Sequence, residues 1–371
     1  MFVVNVDWFF LSHRLPIALE AVRRGYSVHV ATGLTDRLAE LEMYGLVVHP
    51  LALDRKGLGI RNALRTIGQL WRIFRAVRPD VVHLISIKPI LLGGLLARLL
   101  KVPAMVIAVS GVGFVFMERG AKAEVRRWLV GSLYGIVFGH HNLKVILQND
   151  DDLCVLSKKG RLPATKVAII RGSGVDLMRY AHLPLLGGLP VVLLPARILA
   201  DKGVWEFVQA ARILRQRGCN ARFVLVGTVD VANPTSFTQN EVSAWVNDGS
   251  VEWWGQRDDM PNVLACAQLV VLPSYREGLS KVLIEAAACG RAVVTTDVPG
   301  CRDAIEPGIT GVLVPARNPV ALADAMAALI DDPTRCKVLG HAGRALAERA
   351  FDVRQVVEAH FQIYQELAAN A

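Results

Sequence analysis

The sequence predicts an α/β protein built as two doubly wound parallel sheets in series. Short runs rich in Val, Ile and Leu alternate with longer segments of helical period, the pattern of a parallel sheet covered by helices on both faces. The alternation breaks once, at "HLPLLGGLP" (182–190), where two prolines and two glycines mark a linker, and then restarts. A chain of 371 residues with 53% hydrophobic content can bury a core in each half, which fits two domains.

The first half supplies seven strand-like runs: "FVVNV" (2–6), "SVHVAT" (27–32), "VVHP" (47–50), "DVVHLI" (80–85), "AMVIAV" (104–109), "LKVIL" (143–147) and "KVAII" (166–170). The first is followed by an apolar stretch, "WFFLSH", that reads as a loop. Beyond the linker come "VVLLPAR" (191–197), "ARFVLVG" (221–227), "SVEWWG" (250–255), "LVVLP" (269–273), "AVVTTD" (292–297) and "GVLVP" (311–315). These runs set the expected domains at 1–180 and 191–352, with a linker over 181–190 and a separate last helix over 353–371. In such sheets ligands bind beyond the carboxyl ends of the strands, where the order of the chain reverses. Two such domains would face a central cleft.

Composition removes several classes. The six cysteines show no CxxC spacing and lie mostly in apolar patterns, which argues against a zinc site or a disulfide framework and for a reducing cytoplasm. The N-terminus lacks a basic leader and a small-residue cleavage site. "PILLGGLLARLL" is too short, and is interrupted by Arg98, to span a bilayer. "QNDDDL" (148–153) could hold a metal, but Asn149 as N-cap with Asp151 and Asp152 in the first turn is the plainer account.

The net charge of +9 is uneven. Residues 1–180 hold 25 Lys and Arg against 13 Asp and Glu, the remainder 17 against 20. "GIRNALRTIGQLWRIFRAVRP" (59–79) carries five arginines and no acid, and "AKAEVRRWLVGSLYGIVFG" (121–139) is of similar character. Each reads either as an amphipathic helix on an anionic membrane surface or as a core-packed helix with its arginines in water. No nucleic-acid reader motif accompanies the charge.

Two strand-to-helix turns in the second half carry the chemistry. In "PSYREGLSKVLIEAAACG" (273–290), Glu277 lies at a carboxyl edge, Ser280 is suited to cap the following helix, Gly290 to close it, and Glu285 falls in its second turn. A helix N-terminus flanked by two acids, with Gly278 allowing close backbone approach, suits a phosphate between hydroxyl groups. The alternative is a solvated Glu277 and a Glu285 paired with a surface cation. In "LLPARILADKGV" (193–204), Arg197 and Lys202 bracket a second such turn and can clamp a pyrophosphate, the Arg by its fork and the Lys as a point charge. In the first half, His13 and Arg14 follow the first strand; they read as a basic pair for an acceptor diphosphate, or as part of a helix start with Ser12 as cap and Pro16 in the first turn.

These residues, with "GVDLMRY" (174–180), resemble the donor-site motifs of glycosyltransferase family 4, retaining enzymes of GT-B fold. "DWFFLSHRLPIALEA" and "SGVGFVF" further resemble a subgroup that builds bacterial surface polysaccharides on a polyprenyl-diphosphate carrier. The resemblance implies that Glu277 holds donor-sugar hydroxyls, Glu285 the ribose, and Arg197 and Lys202 the departing diphosphate. It places the amides of Gly278, Leu279 and Ser280 beside the donor sugar and phosphate. It implies no metal and no cofactor, the nucleotide sugar, UDP-linked, being the substrate, and a last helix that crosses back to the first domain. Many members have a histidine after the fifth strand; here Ser110, followed by Gly111, stands there beside the donor, so the ring's role is either missing or supplied elsewhere, by His13 or Lys88. His13, Arg14 and Lys88 are the expected acceptor contacts. The implied enzyme works in the cytoplasm, attached peripherally to the inner face of the membrane. An epimerase or hydrolase of the same fold, or a silent nucleotide-sugar-binding subunit, are the other readings.

Overall fold

The computed structural model describes residues 1–53, 60–109, 121–157 and 162–370. Its contacts divide the chain into two compact units, residues 1–173 with 356–371, and residues 174–355.

In the first unit the strands are β1 (Phe2–Val4), β2 (His29–Thr32), β3 (Val47–Pro50), β4 (Val81–Ile85), β5 (Ala104–Ala108), β6 (Leu143–Leu147) and β7 (Val167–Ile169). All pair in parallel in the order β3-β2-β1-β4-β5-β6-β7, so the chain reverses direction across the sheet between β1 and β4. Central strands such as β5 are buried at every residue, which is why they read as unbroken apolar runs.

The helices are α1 (Asp7–His13), α2 (Leu15–Arg23), α3 (Leu38–Met43), α4 (Ile60–Val77), α5 (Ile87–Leu99), α6 (Ala121–Phe138) and α7 (Asp150–Ser157). The loop expected after β1 is instead α1. Its first residue, Asp7, is fully buried, and its carboxylate accepts from the Thr35 amide at 2.6 Å and the Thr35 hydroxyl at 2.8 Å. In α7 the Asn149 side chain caps the helix by accepting from the Asp152 amide at 2.7 Å. Thr66, Leu70 and Phe74 turn the inner face of α4 into the core, whereas Arg61, Arg65, Arg72 and Arg75 are exposed.

The second unit holds β8 (Val191–Pro195), β9 (Arg222–Val226), β10 (Glu252–Trp253), β11 (Leu269–Leu272), β12 (Ala292–Thr296) and β13 (Gly311–Val314). They are parallel in the order β10-β9-β8-β11-β12-β13, reversing between β8 and β11. Helices α8 (Val204–Gln216), α9 (Gln239–Asn247), α10 (Met260–Ala265), α11 (Lys281–Ala288), α12 (Pro319–Ile330) and α13 (Pro333–Ala350) cover the faces, with separate apolar layers on each side. Every strand of both sheets falls inside its predicted run.

The boundary between units falls at 173/174 rather than 180/181. Val175 bridges to Asp352, and Tyr180 packs with Leu283 and Ile284, so these contacts hold 174–180 in the second unit. The last helix, α14 (Val353–Ala369), lays Phe361, Ile363, Tyr364 and Leu367 against Phe2, Val4 and Phe10 of the first unit. Among the described residues no helix is long and apolar enough to cross a membrane.

Candidate active site

The residues singled out in the second half leave the carboxyl ends of β8 and β11, the two neighbours at which the strand order reverses. Backbone contact brings these loops together. Gly203, at φ +72°, sits so close to Pro273 that a Cβ there would lie 2.1 Å from its carbonyl oxygen; only glycine fits. The Tyr275 amide donates to the Asp201 carbonyl at 2.9 Å.

That join delivers Lys202 to Glu277, with Nζ 2.5 Å from Oε1, and the Ser274 hydroxyl donates to the same oxygen at 2.7 Å. The Glu277 loop is held from its other side, its amide donating to the Pro299 carbonyl at 3.1 Å. Arg197 meets Asp230 of the loop after β9, Nη1 to Oδ2 at 2.9 Å. The Tyr275 hydroxyl donates to the buried Glu206 at 2.7 Å while the Arg317 guanidinium lies 4.4 Å over its ring.

Glu285 is 5% exposed and has different partners, the Tyr180 hydroxyl and Lys281, whose Nζ is 3.5 Å away. Burial raises its carboxyl above the usual range, and Lys281 and Tyr180 pull it partly back. Ser280 caps α11, its hydroxyl accepting from the Leu283 amide at 3.4 Å, while its own amide donates to the Gly300 carbonyl at 3.0 Å. The Ser280 amide, one of the expected donor contacts, is thus taken by Gly300, while its hydroxyl keeps a proton to donate. Leu279 buries its side chain in the core, and Gly278 stays half-buried at the turn.

In the first unit, the expected acceptor residues separate. Arg14 is 2% exposed and turned toward Tyr364 of α14, and burial lowers its pKa to about 10. It is not a surface contact for an acceptor: the helical course of 7–13 makes residue 14 an inward corner between α1 and α2, so the expectation for Arg14 is corrected. Ser12 does not cap α2; Arg14 occupies that position without a side-chain bond, and Pro16 lies in the first turn as expected. His13 is half-buried, stacked on Phe9 at 4.2 Å, with Nδ1 2.5 Å from the Ser12 hydroxyl. Lys88 opens α5 after β4 and lines, with Asn5, Trp8, Phe9 and Ser86, a cavity of about 210 Å³ at the reversal point of this sheet. Ser86 holds φ +74°, a conformation that costs strain for a residue with a side chain. Ser110 and Gly111 lie outside the described residues. Among the described residues no three His, Cys, Asp or Glu gather as a metal site.

Sequence reasoning missed Asp230, Glu206 and Tyr275. Asp230 had a signal, a carboxylate four residues past a buried strand and so at the same carboxyl edge as Arg197.

Comparison with known proteins agrees with this architecture. Residues 1–137 match the model described as glycosyl transferase 4-like, and residues 189–332 that of glycosyl transferases group 1. The N,N'-diacetylbacillosaminyl-diphospho-undecaprenol alpha-1,3-N-acetylgalactosaminyltransferase of Campylobacter jejuni is 27% identical, over 97% of this chain and 99% of its own. The UDP-Gal:alpha-D-GlcNAc-diphosphoundecaprenol alpha-1,3-galactosyltransferase of Escherichia coli is 22% identical, over 85% of this chain and 82% of its own. Anabaena HepE, solved with UDP and glucose, superposes with a TM-score of 0.78 at 18% identity, covering 98% of both chains. With two matched domains in sequence, each on its own doubly wound sheet, the chain belongs to the glycosyltransferases of GT-B fold, a 4-like domain followed by a group 1 domain.

Proposed function

We propose that the protein moves a hexose or N-acetylhexosamine, with retention at the anomeric carbon, from a UDP-sugar to a polyprenyl-diphosphate-linked saccharide. The product belongs to a bacterial surface polysaccharide. The relatives named above act on undecaprenyl-diphosphate-linked sugars, and HepE was solved with UDP, which supports both halves of this reading.

The observation that carries it is the contact of Lys202 with Glu277 at the reversal point of the second sheet. Glu277 accepts from Lys202 and Ser274 through Oε1, so its carboxylate is oriented before any sugar arrives and can take hydrogen bonds from donor-sugar hydroxyls. The Lys202 ammonium has three donors, so its bond to Glu277 is compatible with a phosphate contact. In the transfer the bond from the anomeric carbon to the phosphate oxygen breaks, and one to the acceptor oxygen forms on the same face. The acceptor proton passes to the leaving phosphate. Negative charge grows on the diphosphate, where Arg197 and Lys202 stabilise it. Glu285, buried and held by Tyr180, grips the ribose hydroxyls. His13 and Lys88 are the contacts we assign to the acceptor, Lys88 from the cavity it lines with Trp8 and Phe9.

Peripheral attachment rests on α4. At 100° per residue Arg61, Arg65, Arg72 and Arg75 fall within an arc of roughly 80° that runs about 21 Å along the helix, opposite the buried Leu70 and Phe74. Such a row meets the phosphates of an anionic leaflet. On α6, Trp128 is 71% exposed and adds an apolar anchor of the kind found at membrane interfaces.

The test is transfer of radiolabelled sugar from UDP-GalNAc, UDP-GlcNAc, UDP-galactose or UDP-glucose to an undecaprenyl-diphosphate-linked saccharide extracted from bacterial membranes. One donor should label the lipid, and Glu277→Gln should lower that rate by about a hundredfold or more, the scale of losing a transition-state contact. Full turnover of the same donor without lipid would replace this reading with a hydrolase or epimerase.

A further inference from the structure

The segment 228–237 after β9 runs beside 197–201 as a strap. The Ile198 amide donates to the Thr228 carbonyl at 2.9 Å, the Ala200 amide to the Thr235 carbonyl at 2.8 Å, and the Phe237 amide to the Ile198 carbonyl at 3.1 Å. Leu199 and Ser236 form an antiparallel bridge. The Thr235 hydroxyl donates to the Asp201 carboxylate at 2.6 Å. At the base of the strap, Gly227 at φ +145° lets the two backbones touch; a Cβ there would lie 2.0 Å from the Ala196 carbonyl oxygen.

Within this strap Asp230 is a fixed post. Its amide donates to the Ser236 hydroxyl at 3.0 Å, that hydroxyl lies 3.0 Å from the Phe237 carbonyl and 3.3 Å from the Ile198 carbonyl, either of which can accept its proton, and the Asp230 side chain is 10% exposed. Arg197 is the more exposed member of the pair, with 40% of its side chain open to solvent. We infer that Asp230 is a positioning residue for transfer, holding the Arg197 guanidinium where charge develops on the departing diphosphate, and that 228–237 exists to fix the span from Arg197 to Lys202. This rests on the donor-site reading above.

Removing a carboxylate makes the site more positive, so a bound diphosphate should be held as well or better. Losing the orientation of Arg197 should slow the step in which its charge is needed. Ground-state binding and turnover therefore part company, which loss of folding alone would not produce.

The experiment measures kcat and KM in the lipid transfer assay with the donor that is turned over, and UDP affinity by calorimetry, for Asp230→Ala, Asp230→Asn, Arg197→Ala and the Asp230→Ala/Arg197→Ala double variant. Asp230→Ala should lower kcat about tenfold, with KM and UDP affinity within about threefold of wild type or tighter. Asp230→Asn keeps an acceptor for Nη1 and should recover part of the rate. In the Arg197→Ala background, removing Asp230 should change kcat less than about twofold, because the two act as one unit. If the two losses multiply, or if Arg197→Ala is slow while Asp230→Ala is not, the positioning role is overturned and the donor-site reading stands. If Arg197→Ala keeps wild-type kcat and UDP affinity, both fall.

Discussion

Gly300→Ala probes how tightly the Glu277 loop is seated, and Gly308→Ala supplies its control. Both glycines hold φ +76°, so an alanine at either position incurs the same left-handed penalty of about 1 kcal/mol. Their surroundings differ. A Cβ at 308 meets nothing within 4 Å, whereas one at 300 lies 2.5 Å from both the carbonyl carbon and oxygen of Glu277 and 2.6 Å from the oxygen of Gly278. All three atoms are backbone, so no side chain can swing away. The loop must retreat by about 0.5 Å to reach the shortest tolerated approach and by about 0.9 Å to reach ordinary contact.

Gly308→Ala should lose about 1 kcal/mol, a fall in Tm of roughly 2 to 4 °C for a domain of this size, with kcat unchanged. Gly300→Ala should lose about 1 to 3 kcal/mol more from overpacking. It should also slow transfer by about ten- to a hundredfold, because a displacement approaching 1 Å moves Glu277 off Lys202 and Ser274. Thermal unfolding gives the first quantity, and the lipid transfer assay, run well below both midpoints, gives the second. A Gly300→Ala rate within twofold of Gly308→Ala would refute the claim that this backbone contact seats the catalytic carboxylate.

Three further outcomes follow from other parts of the molecule. Ser280→Ala removes the cap of α11 and should lower stability by about 1 kcal/mol in urea unfolding, with Ser280→Asn restoring most of it. His360, whose burial lowers its pKa from 6.5 to about 3, stays neutral when folded, while the unfolded chain takes up a proton below 6.5; its contribution is therefore complete above pH 6.5 and is lost as pH falls toward 3. At pH 5 this amounts to about 2 kcal/mol, measured as the difference between urea midpoints at pH 7.5 and 5, and His360→Gln should flatten that dependence. Replacing Arg65 and Arg72 by Gln should weaken binding to vesicles containing a third phosphatidylglycerol by about thirtyfold at 0.1 M salt, at about 1 kcal/mol per arginine; binding that ignores both salt and substitution would remove α4 from the membrane reading.

What the sequence disclosed and what it hid divide along a physical line. Parallel strands covered on both faces must be apolar at nearly every position, so runs such as 191–195 and 269–272 announced themselves without any knowledge of neighbours. The Lys202 and Glu277 pair was legible as two charged turns at the same sheet edge, because strand direction alone places those turns. Features decided by distant contacts were not legible. Helix α1 has no side-chain cap, and its opening Asp7 is anchored by Thr35, so nothing local marks its start. Arg14 reads as a surface cation until α14, some 350 positions later, lays Tyr364 against it. Asp230 likewise gains meaning only when 228–237 folds along 197–201.

Both cations proposed for the diphosphate already have a carboxylate partner, Arg197 with Asp230 and Lys202 with Glu277. Such pairs are poor devices for stability: these side chains keep between 10% and 40% of their exposure, and partly exposed ion pairs contribute about 1 kcal/mol or less. Their value is geometric. In each pair one partner stands on a loop leaving β8 and the other on a loop leaving a strand directly beside it, β9 or β11, and glycines at 203 and 227 let those loops meet backbone to backbone. Main-chain contacts therefore set where the cations stand, and the carboxylates set only how they point. A substitution at Asp230 or Glu277 should then change rate more than fold, whereas one at Gly203 or Gly227 should damage both together, since no side chain can fit where a carbonyl oxygen lies 2.0 to 2.1 Å from the Cβ position.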